Sequence, residues 1–459
     1  MQAVPSYSFT KEKGVCLEGY STSITNLLTV KPIEHPNYKK DEKVEPSFPV
    51  FQEIYNDDGT TICVPKFWAN EYLEINEKIP LTGKSTDIQF HGTLREAQTK
   101  VLEMVLPTIH EKGGGILSLP CGHGKTCVAI YTAALLKVPT LVLVHKQFLM
   151  NQWVESIQKF TNASVGTIQR DKVDIEGKDI VIAMLQSVSM KDYPPGTFSG
   201  FDFLVVDEVH NVATKVFSRA LAKIHTTYTL GLSATPDRDD GLSKVFMWYL
   251  GPMIHRAQKD KNKNVTVKLL SFQLDPQTAD PRDARKYREI KNFRGELNLA
   301  KMLSNLGELR PRNELIIKTL ASILEKEPSR CCLILSNRIG QLETLLKMFT
   351  QVNPTTPCSL YIGRMKAPQL KEAESCQVLF ATYEMVNEGF DLPKLNTLLF
   401  ATPRSKIEQA VGRILRKKSD EHPPVVVDVL DDSIPVFKGQ GYKRKYFYKS
   451  LSYKTMYCN

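Results

Sequence analysis

Three short stretches of the chain carry side chains whose types and spacing suit phosphate chemistry. The first is SLPCGHGKTC, residues 118–127, which places Lys125 and Thr126 directly after a glycine-containing turn. The backbone N–H groups of such a turn can hold phosphate oxygens, and the lysine can reach the β- and γ-phosphates of a nucleotide. The threonine hydroxyl is suited to Mg²⁺. We therefore predict an ATP site in which Lys125 is catalytic and Thr126 is a metal ligand.

The same turn departs from the usual phosphate-binding loop at one position, because Leu119 stands where the first glycine is expected. Gly122, His123 and Gly124 follow, and the two glycines still permit a close backbone approach to the nucleotide. The apolar run GILSL precedes the turn and the helical run CVAIYTAALL follows it. This order of strand, loop and helix supports the assignment of all three residues to nucleotide binding.

The second stretch is FLVVDEVH, residues 203–210, in which an apolar strand delivers two carboxylates to its end. Ligands of α/β folds bind at such strand ends. We predict that Asp207 belongs to the Mg²⁺ shell and that Glu208 orients and activates the attacking water. His210 is either a surface histidine or a residue that senses the state of the γ-phosphate.

The third stretch is QAVGRILR, residues 409–416. Arg413 and Arg416 lie three residues apart and Gln409 lies four residues before Arg413, so a helix would place them on one side. Arginines stabilise charge on a transferring phosphoryl group. These residues are far from Lys125 in sequence, so two domains must face each other across one ATP if all of them serve it. A solvated basic helix end is the alternative interpretation.

The elements that position these stretches form two α/β series. Continuous Val/Ile/Leu runs such as PTLVLVH, DIVIAML and FDFLVVD alternate with helical stretches, which indicates parallel strands buried on both faces. We predict an N-terminal accessory unit of β or α+β type over 1–87, an ATP-binding α/β domain over 88–255, a linker with a helical element over 256–312, and a second α/β domain over 313–459. The second domain ends in a basic tail, in which Tyr442, Tyr446 or Tyr448 could stack on bases.

Composition limits the class of protein. The chain has 459 residues, nine cysteines and a formal net charge of +10, which is compatible with a polyanionic partner. The odd cysteine count and the absence of zinc-type spacing favour a reducing, intracellular location without a structural metal. Cys331 and Cys332 suit a buried strand better than a disulfide. Neither a secretory signal nor a bilayer-spanning run is evident, so we expect no membrane association.

With three motifs in order, the chain resembles superfamily 2 helicases, and within them the XPB/UvsW-like branch. The resemblance extends from about 93 to 418 and rests on LREAQ, PCGHGKT, LVLVHKQFLMNQW, MLQS, DEVH, GLSATPDRDDG, LILSNR, YIGRMK, ATYEMVNEGFDLP and QAVGRILR. The N-terminal runs FPVFQEIY and VPKFW are similar to the leader of helicases of large DNA viruses, the poxvirus transcript-release type among them. The resemblance implies two tandem RecA-like parallel-sheet domains.

The resemblance also implies roles for single residues. Gln98 would read adenine, Gly389 and Asp391 would touch the nucleotide, and Ser233 and Thr235 would join His210 in coupling the ATP site to the nucleic-acid site. Five further residues fall in elements that contact a nucleic-acid backbone in the family: His145, Gln186, Arg338, Gly363 and Thr382.

The function expected from this resemblance is an ATP- and Mg²⁺-dependent helicase or translocase acting on DNA, in viral transcription or in repair. Two alternatives remain open: an ATP-gated clamp or transcription assembly factor without net unwinding, and an RNA helicase. The expected partners are nucleic acid, DNA rather than RNA, together with RNA polymerase or transcription factors. No oligomer is required. The expected location is the host cytoplasm or the virion for a viral protein, and otherwise the nucleus.

Overall fold

The computed structural model describes residues 5–33, 47–56, 59–76, 79–82, 84–120, 122–238, 240–257, 264–275, 277, 279–387, 390, 392–415 and 422–458. Its contacts divide the chain into two compact units, Met1–Ala257 and Gln258–Asn459. None of the described helices is long and apolar enough to cross a membrane.

The N-terminal part of the first unit is a small α+β structure. An antiparallel sheet has the order β1-β2-β6-β5, and a short hairpin pairs β3 with β4. The elements are β1 Ser6–Thr10, β2 Gly14–Glu18, α1 Thr22–Leu27, β3 Thr29–Val30, β4 Phe48–Pro49, β5 Gln52–Asn56, β6 Gly59–Val64 and α2 Lys66–Leu73.

This N-terminal structure shares a hydrophobic core with the α/β sheet that follows it. Trp68 and Leu17 belong to the same buried cluster as Val206. The Tyr249 hydroxyl donates to the carbonyl of Val50 at 3.2 Å, and the Lys66 ammonium donates to the carbonyl of Thr227 at 3.1 Å. The described residues before 88 therefore lie within the first compact unit and pack on the α/β sheet that follows them.

Two cysteines face each other in the N-terminal sheet. Cys16 on β2 pairs with Cys63 on β6, with their Cα atoms 4.1 Å apart, and the two form a disulfide. Because the two cysteines are 47 residues apart in the chain, the sequence alone did not predict this pairing. Cys332, in contrast, lies inside a strand of the second unit, where burial raises the pKa of its thiol to about 12. The reducing location expected from the cysteine count stays a prediction.

The first unit is built on a second, larger sheet. Within its described residues this sheet has the order β10-β9-β11-β8-β12-β13-β7-β14, parallel throughout except for β10. The strands are β7 Gly114–Ser118, β8 Thr140–Val144, β9 Val165–Gln169, β10 Lys172–Asp174, β11 Ile180–Met184, β12 Phe203–Asp207, β13 Tyr228–Ser233 and β14 Met253–Arg256. The helices are α3 Glu96–Lys112, α4 Lys125–Leu136, α5 Gln147–Phe160, α6 Leu185–Met190, α7 Ser218–Leu221 and α8 Ser243–Leu250.

The central strands of this sheet are buried along their whole length. Every residue of β8, β11 and β12 is buried, and separate hydrophobic clusters lie on the two faces of the sheet. Continuous apolar runs of this kind are typical of parallel strands covered by helices. The predicted α/β class is confirmed for this unit.

The second unit repeats the architecture with an all-parallel sheet of order β17-β18-β16-β19-β20-β15-β21. The strands are β15 Thr266–Ser271, β16 Cys332–Ser336, β17 Cys358–Tyr361, β18 Val378–Thr382, β19 Thr397–Phe400, β20 Val425–Leu430 and β21 Lys454–Cys458. The helices are α9 Pro281–Lys286, α10 Leu299–Gly307, α11 Arg310–Lys326, α12 Ile339–Val352, α13 Ala367–Ala373, α14 Tyr383–Asn387, α15 Glu408–Arg413 and α16 Pro435–Ser450.

The segment 256–312, expected to be a linker with a helical element, contributes to this second sheet. Its strand β15 inserts between β20 and β21, and its helix α10 packs on α12. The sheet that β15 joins depends on tertiary pairing. The described residues of 264–312 thus belong to the second unit, whereas Arg256 ends β14 of the first sheet.

The basic tail divides into a buried face and an exposed face. The Tyr448 hydroxyl donates to Asp428 at 3.0 Å, and the guanidinium of Arg444 also bonds this carboxylate. Tyr448 is fully buried, so the suggestion that it stacks on bases is wrong. Tyr442 and Tyr446 are exposed.

Candidate functional site

The residues of the first unit that were predicted to bind ATP and Mg²⁺ lie at one edge of its larger sheet. Strands β12, β13 and β7 are neighbours, with Asp207 paired to Leu232 and Ser233 paired to Ser118. Because all three strands run in parallel, their carboxyl ends form a continuous edge. The phosphate loop, the two carboxylates and the Ser233 hydroxyl therefore start from adjacent strand ends, where ligands of α/β sheets bind.

The phosphate loop has the backbone that its glycines allow. Gly122 and Gly124 adopt φ values of 81° and 79°, and Gly124 caps the N-terminus of α4. The ammonium of Lys125 donates to the carbonyl of Leu119 at 3.0 Å, while the N–H of Leu119 bonds the carbonyl of Ser233. Leu119 thus ties the loop to β13. Lys125 and Thr126 open the helix, next to the N–H groups that can bind an anion.

Gln98 and Arg95 lie against the phosphate loop. The Gln98 side-chain oxygen accepts the N–H of Arg95 at 2.8 Å, which caps α3, and the Arg95 guanidinium donates to the carbonyl of Gly122 at 3.2 Å. A Cβ atom on Gly124 would approach the amide nitrogen of Gln98 to 2.1 Å. The φ of Gly124 favours glycine, and any larger residue would also displace the Gln98 side chain. His123 is exposed on the loop between the two glycines.

Asp207 is held from two sides. Its Oδ2 accepts the indole N–H of Trp153 at 2.9 Å, and its Oδ1 accepts the N–H of Glu208 at 3.0 Å. Burial, and after it the neighbouring Glu208 carboxylate, raise the pKa of Asp207, while Trp153 and Lys125 lower it, and the net pKa is about 6. A buried carboxylate with an elevated pKa gains from a cation that neutralises its charge.

Glu208 adopts a left-handed conformation with φ at 50°, which is uncommon for a residue other than glycine. Its Oε2 is buried and accepts no hydrogen bond from the described residues, and it lies 3.5 Å from Nδ1 of His210. Backbone strain and an unsatisfied buried oxygen are features that cluster at functional sites. The arrangement leaves this oxygen able to accept a proton or to bind water.

The donor set at this edge fits a nucleotide with Mg²⁺. An unsatisfied carboxylate oxygen, a buried carboxylate with a raised pKa and a threonine hydroxyl are oxygen ligands of the kind that Mg²⁺ takes. The helix N-terminus at Gly124 suits phosphates. When bound, the metal supplies charge neutralisation at the phosphates.

The three residues predicted to couple the sites are connected. Ser233 is fully buried, its hydroxyl lies 3.3 Å from Nδ1 of His210, and it accepts the N–H of Thr235 at 3.1 Å. Arg238 donates to the carbonyl of His210. The structure therefore links the segment after β12 directly to the segment after β13.

His145 and Gln186 follow the neighbouring strands β8 and β11. The Gln186 amide donates to the carbonyl of His145 at 2.7 Å, and the ring of His145 lies 3.4 Å from the amide nitrogen of Asn211. Asn211 in turn donates to the carbonyl of Glu208 at 3.3 Å. Both predicted nucleic-acid residues are thus bonded into a chain that ends at the main-chain carbonyl of Glu208, and their contact with nucleic acid stays a prediction.

In the second unit, three predicted nucleic-acid residues also share a carboxyl edge. Arg338 follows β16, Gly363 follows β17 and Thr382 ends β18, and these strands are neighbours. Gly363 is exposed, while Arg338 and Thr382 are half-buried. One guanidinium nitrogen of Arg338 donates to the carbonyl of Ala300 at 2.6 Å.

Arg413 is buried within the second unit. Its guanidinium donates to the carbonyls of Val386 and Phe390, each at 2.8 Å. Two of its donors therefore hold the main chain at Val386 and Phe390, and its contact with a phosphate stays a prediction. Gln409 lies one turn earlier on α15. Arg416, Gly389 and Asp391 lie outside the described residues.

Sequence reasoning missed three residues of the site: Trp153, Asn211 and Arg95. Each lies within or next to a stretch already identified. Phosphate chemistry does not require the side chains of Trp153 and Asn211, and Arg95 lies in LREAQ, where only Gln98 was assigned a role. Trp153 would have been found by asking which buried indole N–H needs an acceptor. Asn211 directly follows the DEVH stretch, so its position was the only available signal.

Comparison with known proteins agrees with this architecture. Residues 91–238 match the family described as "Type III restriction enzyme, res subunit". The chain is 33% identical to the "Putative ATP-dependent RNA helicase L396" of Acanthamoeba polyphaga mimivirus, over 93% of this chain and 81% of that protein. It is 28% identical to the "Putative helicase 161L" of Invertebrate iridescent virus 6, over 90% and 92%. The structure of S. cerevisiae Dbp5 bound to RNA and ADP BeF3 matches 79% of this chain and 89% of its own, with a TM-score of 0.52 and 12% identity.

The Dbp5 match shows a shared fold, namely tandem RecA-like domains, which confirms the predicted fold class. The motifs at the carboxyl edge of the first sheet define an ATP-dependent superfamily 2 helicase. The chain belongs to the family of ATP-dependent helicases encoded by large DNA viruses.

Proposed function

We propose that this helicase uses ATP hydrolysis to move along, or to separate, the strands of DNA during viral transcription, at termination and transcript release, or in repair. The observation that carries the proposal is the assembly of the Lys125 loop, Asp207, Glu208 and Ser233 at adjacent strand ends of one sheet. Thr126 and Asp207 would hold Mg²⁺, and Lys125 would bind the terminal phosphates.

Glu208 would orient the attacking water and accept its proton, since its Oε2 is the buried oxygen left unsatisfied. The link from His210 to Ser233 supports a route by which loss of the γ-phosphate alters the segment after β13. The bonded chain from Glu208 through Asn211 to His145 supports a second route, toward the strand ends proposed for nucleic acid. Both routes would make ATP turnover depend on nucleic acid.

RNA is the second candidate substrate, favoured by the mimivirus relative, which is named as an ATP-dependent RNA helicase. One experiment separates the candidates: the ATPase rate with single-stranded DNA, duplex DNA or RNA, alongside strand displacement on matched duplexes. We expect DNA to stimulate turnover and displacement to require ATP. Stimulation without displacement would favour a translocase or clamp, and stimulation by RNA alone would overturn the DNA proposal.

A further inference from the structure

The C-terminal helix α16 has one face for the core and one for solvent. Phe437, Arg444 and Tyr448 are buried on the inner face, where Asp428 bonds both polar side chains. A helix anchored in this way holds its outer face in a fixed position. The outer face of α16 is therefore an ordered helical surface.

Lysines and tyrosines alternate along this outer face. The residues are Lys438, Tyr442, Lys445, Tyr446 and Lys449. Their spacing of three to four residues places them in one stripe about 16 Å long. The Tyr442 and Tyr446 side chains are 59% and 77% exposed, so both rings are accessible to a ligand.

The edge strand β21 extends the stripe. Tyr457 is 67% exposed, and the ammonium of Lys445 lies 5.5 Å from the ring centre of Tyr442 and 5.6 Å from that of Tyr457. The lysine thus sits between two tyrosine rings and fixes their spacing. Lys443 is also exposed on α16, directly after Tyr442. We call the seven residues Lys438, Tyr442, Lys443, Lys445, Tyr446, Lys449 and Tyr457 the Lys–Tyr surface.

The charge of this surface has one sign. The sequence from 433 to 458 contains neither aspartate nor glutamate. Within the described part of the chain, the lysines of the surface form no ion pair, whereas Arg444 on the inner face is paired with Asp428. An uncompensated row of lysines attracts a polyanion.

The Lys–Tyr surface is separate from the carboxyl edge that bears Arg338, Gly363 and Thr382. In the sheet order, β21 lies four strands from β16, which is about 19 Å at the usual strand spacing. A ligand on one of these surfaces therefore need not touch the other. The surface also lies wholly within the second unit.

We propose that the Lys–Tyr surface is a second binding site for single-stranded nucleic acid, with phosphates on the lysines and unpaired bases stacked on the tyrosine rings. Rings interleaved with cations suit unpaired bases, because a duplex offers its phosphates but keeps its base faces stacked. The stripe accommodates about five nucleotides at about 3.4 Å each. An acidic polypeptide would use the lysines but gain little from the ring faces. The inference rests on the proposed function only in taking nucleic acid as the ligand.

The test is equilibrium binding of short fluorescent oligo-dT and oligo-U to the full chain over a range of salt concentrations. We expect Tyr442→Ala with Tyr446→Ala to weaken binding at least about tenfold. The corresponding Phe variants, which keep the rings, should bind as the wild type. Lys443→Gln with Lys449→Gln should lower the slope of log affinity against log salt by about 1.4. Comparison of the two oligonucleotides distinguishes DNA from RNA as the source of the strand.

The charge-matched control is Lys318→Gln with Lys347→Gln, which removes two exposed lysines from α11 and α12. It should leave both affinity and salt slope near the wild-type values. Unchanged affinity in the Tyr→Ala variant, or displacement of the oligonucleotide by polyglutamate with equal strength in wild type and Tyr→Ala variant, would overturn the inference. If Arg338→Ala abolishes binding while the tyrosine variant retains it, this inference fails and the proposed function stands. Absence of any binding by the wild type would overturn both.

Discussion

The carboxyl edges of the two parallel sheets are equipped in different ways. In the first unit, the edge carries Asp207 and Glu208, and one buried oxygen of Glu208 is left without a hydrogen bond. In the second unit, the buried guanidinium of Arg413 is bonded to main-chain carbonyls of its own domain. The difference indicates that the first sheet leaves a carboxylate oxygen able to bind a ligand, whereas the buried arginine of the second sheet holds the main chain in place. The same architecture therefore serves two tasks.

The largest expected effect is the loss of ATP turnover when the Lys125 side chain is removed. We expect Lys125→Ala to lower ATP turnover about a thousandfold, because the ammonium stabilises the charge of the transferring phosphoryl group. Nucleic-acid binding should stay near normal. A phosphate-release assay measures the loss, and Lys112→Ala, an exposed lysine at the end of α3, is the control. Loss of nucleic-acid binding with intact turnover would contradict the assignment.

The holding role of Arg413 predicts a local loss of stability. Arg413→Ala removes two hydrogen bonds from a charged donor to the carbonyls of Val386 and Phe390, which should cost about 3 kcal/mol. Hydrogen exchange of the amides in α14 should speed up accordingly. Gln409→Ala, on the same helix, should leave exchange unchanged. Wild-type exchange in the Arg413 variant would mean that the arginine is not a structural residue.

The buried charge of Asp207 predicts a stability gain on its removal. Its pKa of about 6 lies above the usual value for aspartate, so the folded protein holds this proton more tightly than the unfolded chain does. Its contribution to stability is therefore greatest at low pH and falls as pH rises toward 6. Without metal, Asp207→Asn should be more stable than the wild type by about 3 kcal/mol at pH 7.

The stability difference between Asp207→Asn and the wild type should shrink as the pH is lowered toward 4. At that pH the wild-type carboxyl group is protonated and is therefore uncharged, like the amide of asparagine. Chemical unfolding of both proteins with a chelator present, at several pH values, gives the difference. If Asp207→Asn is less stable than the wild type at neutral pH, interactions within the protein more than offset the cost of burying the Asp207 charge, and the prediction is wrong.

The smallest expected effect concerns Trp153. Its indole N–H fixes Oδ2 of Asp207, and loss of such an outer partner typically weakens metal binding tenfold or more. Trp153→Phe should therefore raise the Mg²⁺ concentration needed for nucleotide binding roughly tenfold. Calorimetric titration of Mg²⁺ with a non-hydrolysable ATP analogue measures it. Trp248→Phe, in the same unit, is the control, and an unchanged Mg²⁺ requirement in the Trp153 variant would exclude the positioning role.

Local patterns predicted the strands that carry the site. The runs DIVIAML and FDFLVVD correspond to β11 and β12, because a continuous apolar run between turns suits a strand covered on both faces. The position of Asp207 at a strand end followed from the same reasoning, and the position of Lys125 followed from the order of strand, loop and helix around it. These features depend on residues close together in the chain.

Features that depend on distant residues could not be predicted. The bond from Trp153 to Asp207 spans 54 positions, and the pairing of Cys16 with Cys63 requires the register of two strands. The left-handed conformation of Glu208 is imposed by its surroundings and not by its type. The placement of β15 between β20 and β21 is likewise a tertiary choice.

The central claim is that the edge of the first sheet binds and cleaves ATP with Glu208 as the residue that acts on water. The direct test measures ATP binding and single-turnover hydrolysis on the same preparation of Glu208→Gln. We predict binding equal to that of the wild type and hydrolysis lowered at least about a hundredfold, since the amide keeps the shape but accepts no proton. Hydrolysis at the wild-type rate would contradict the account.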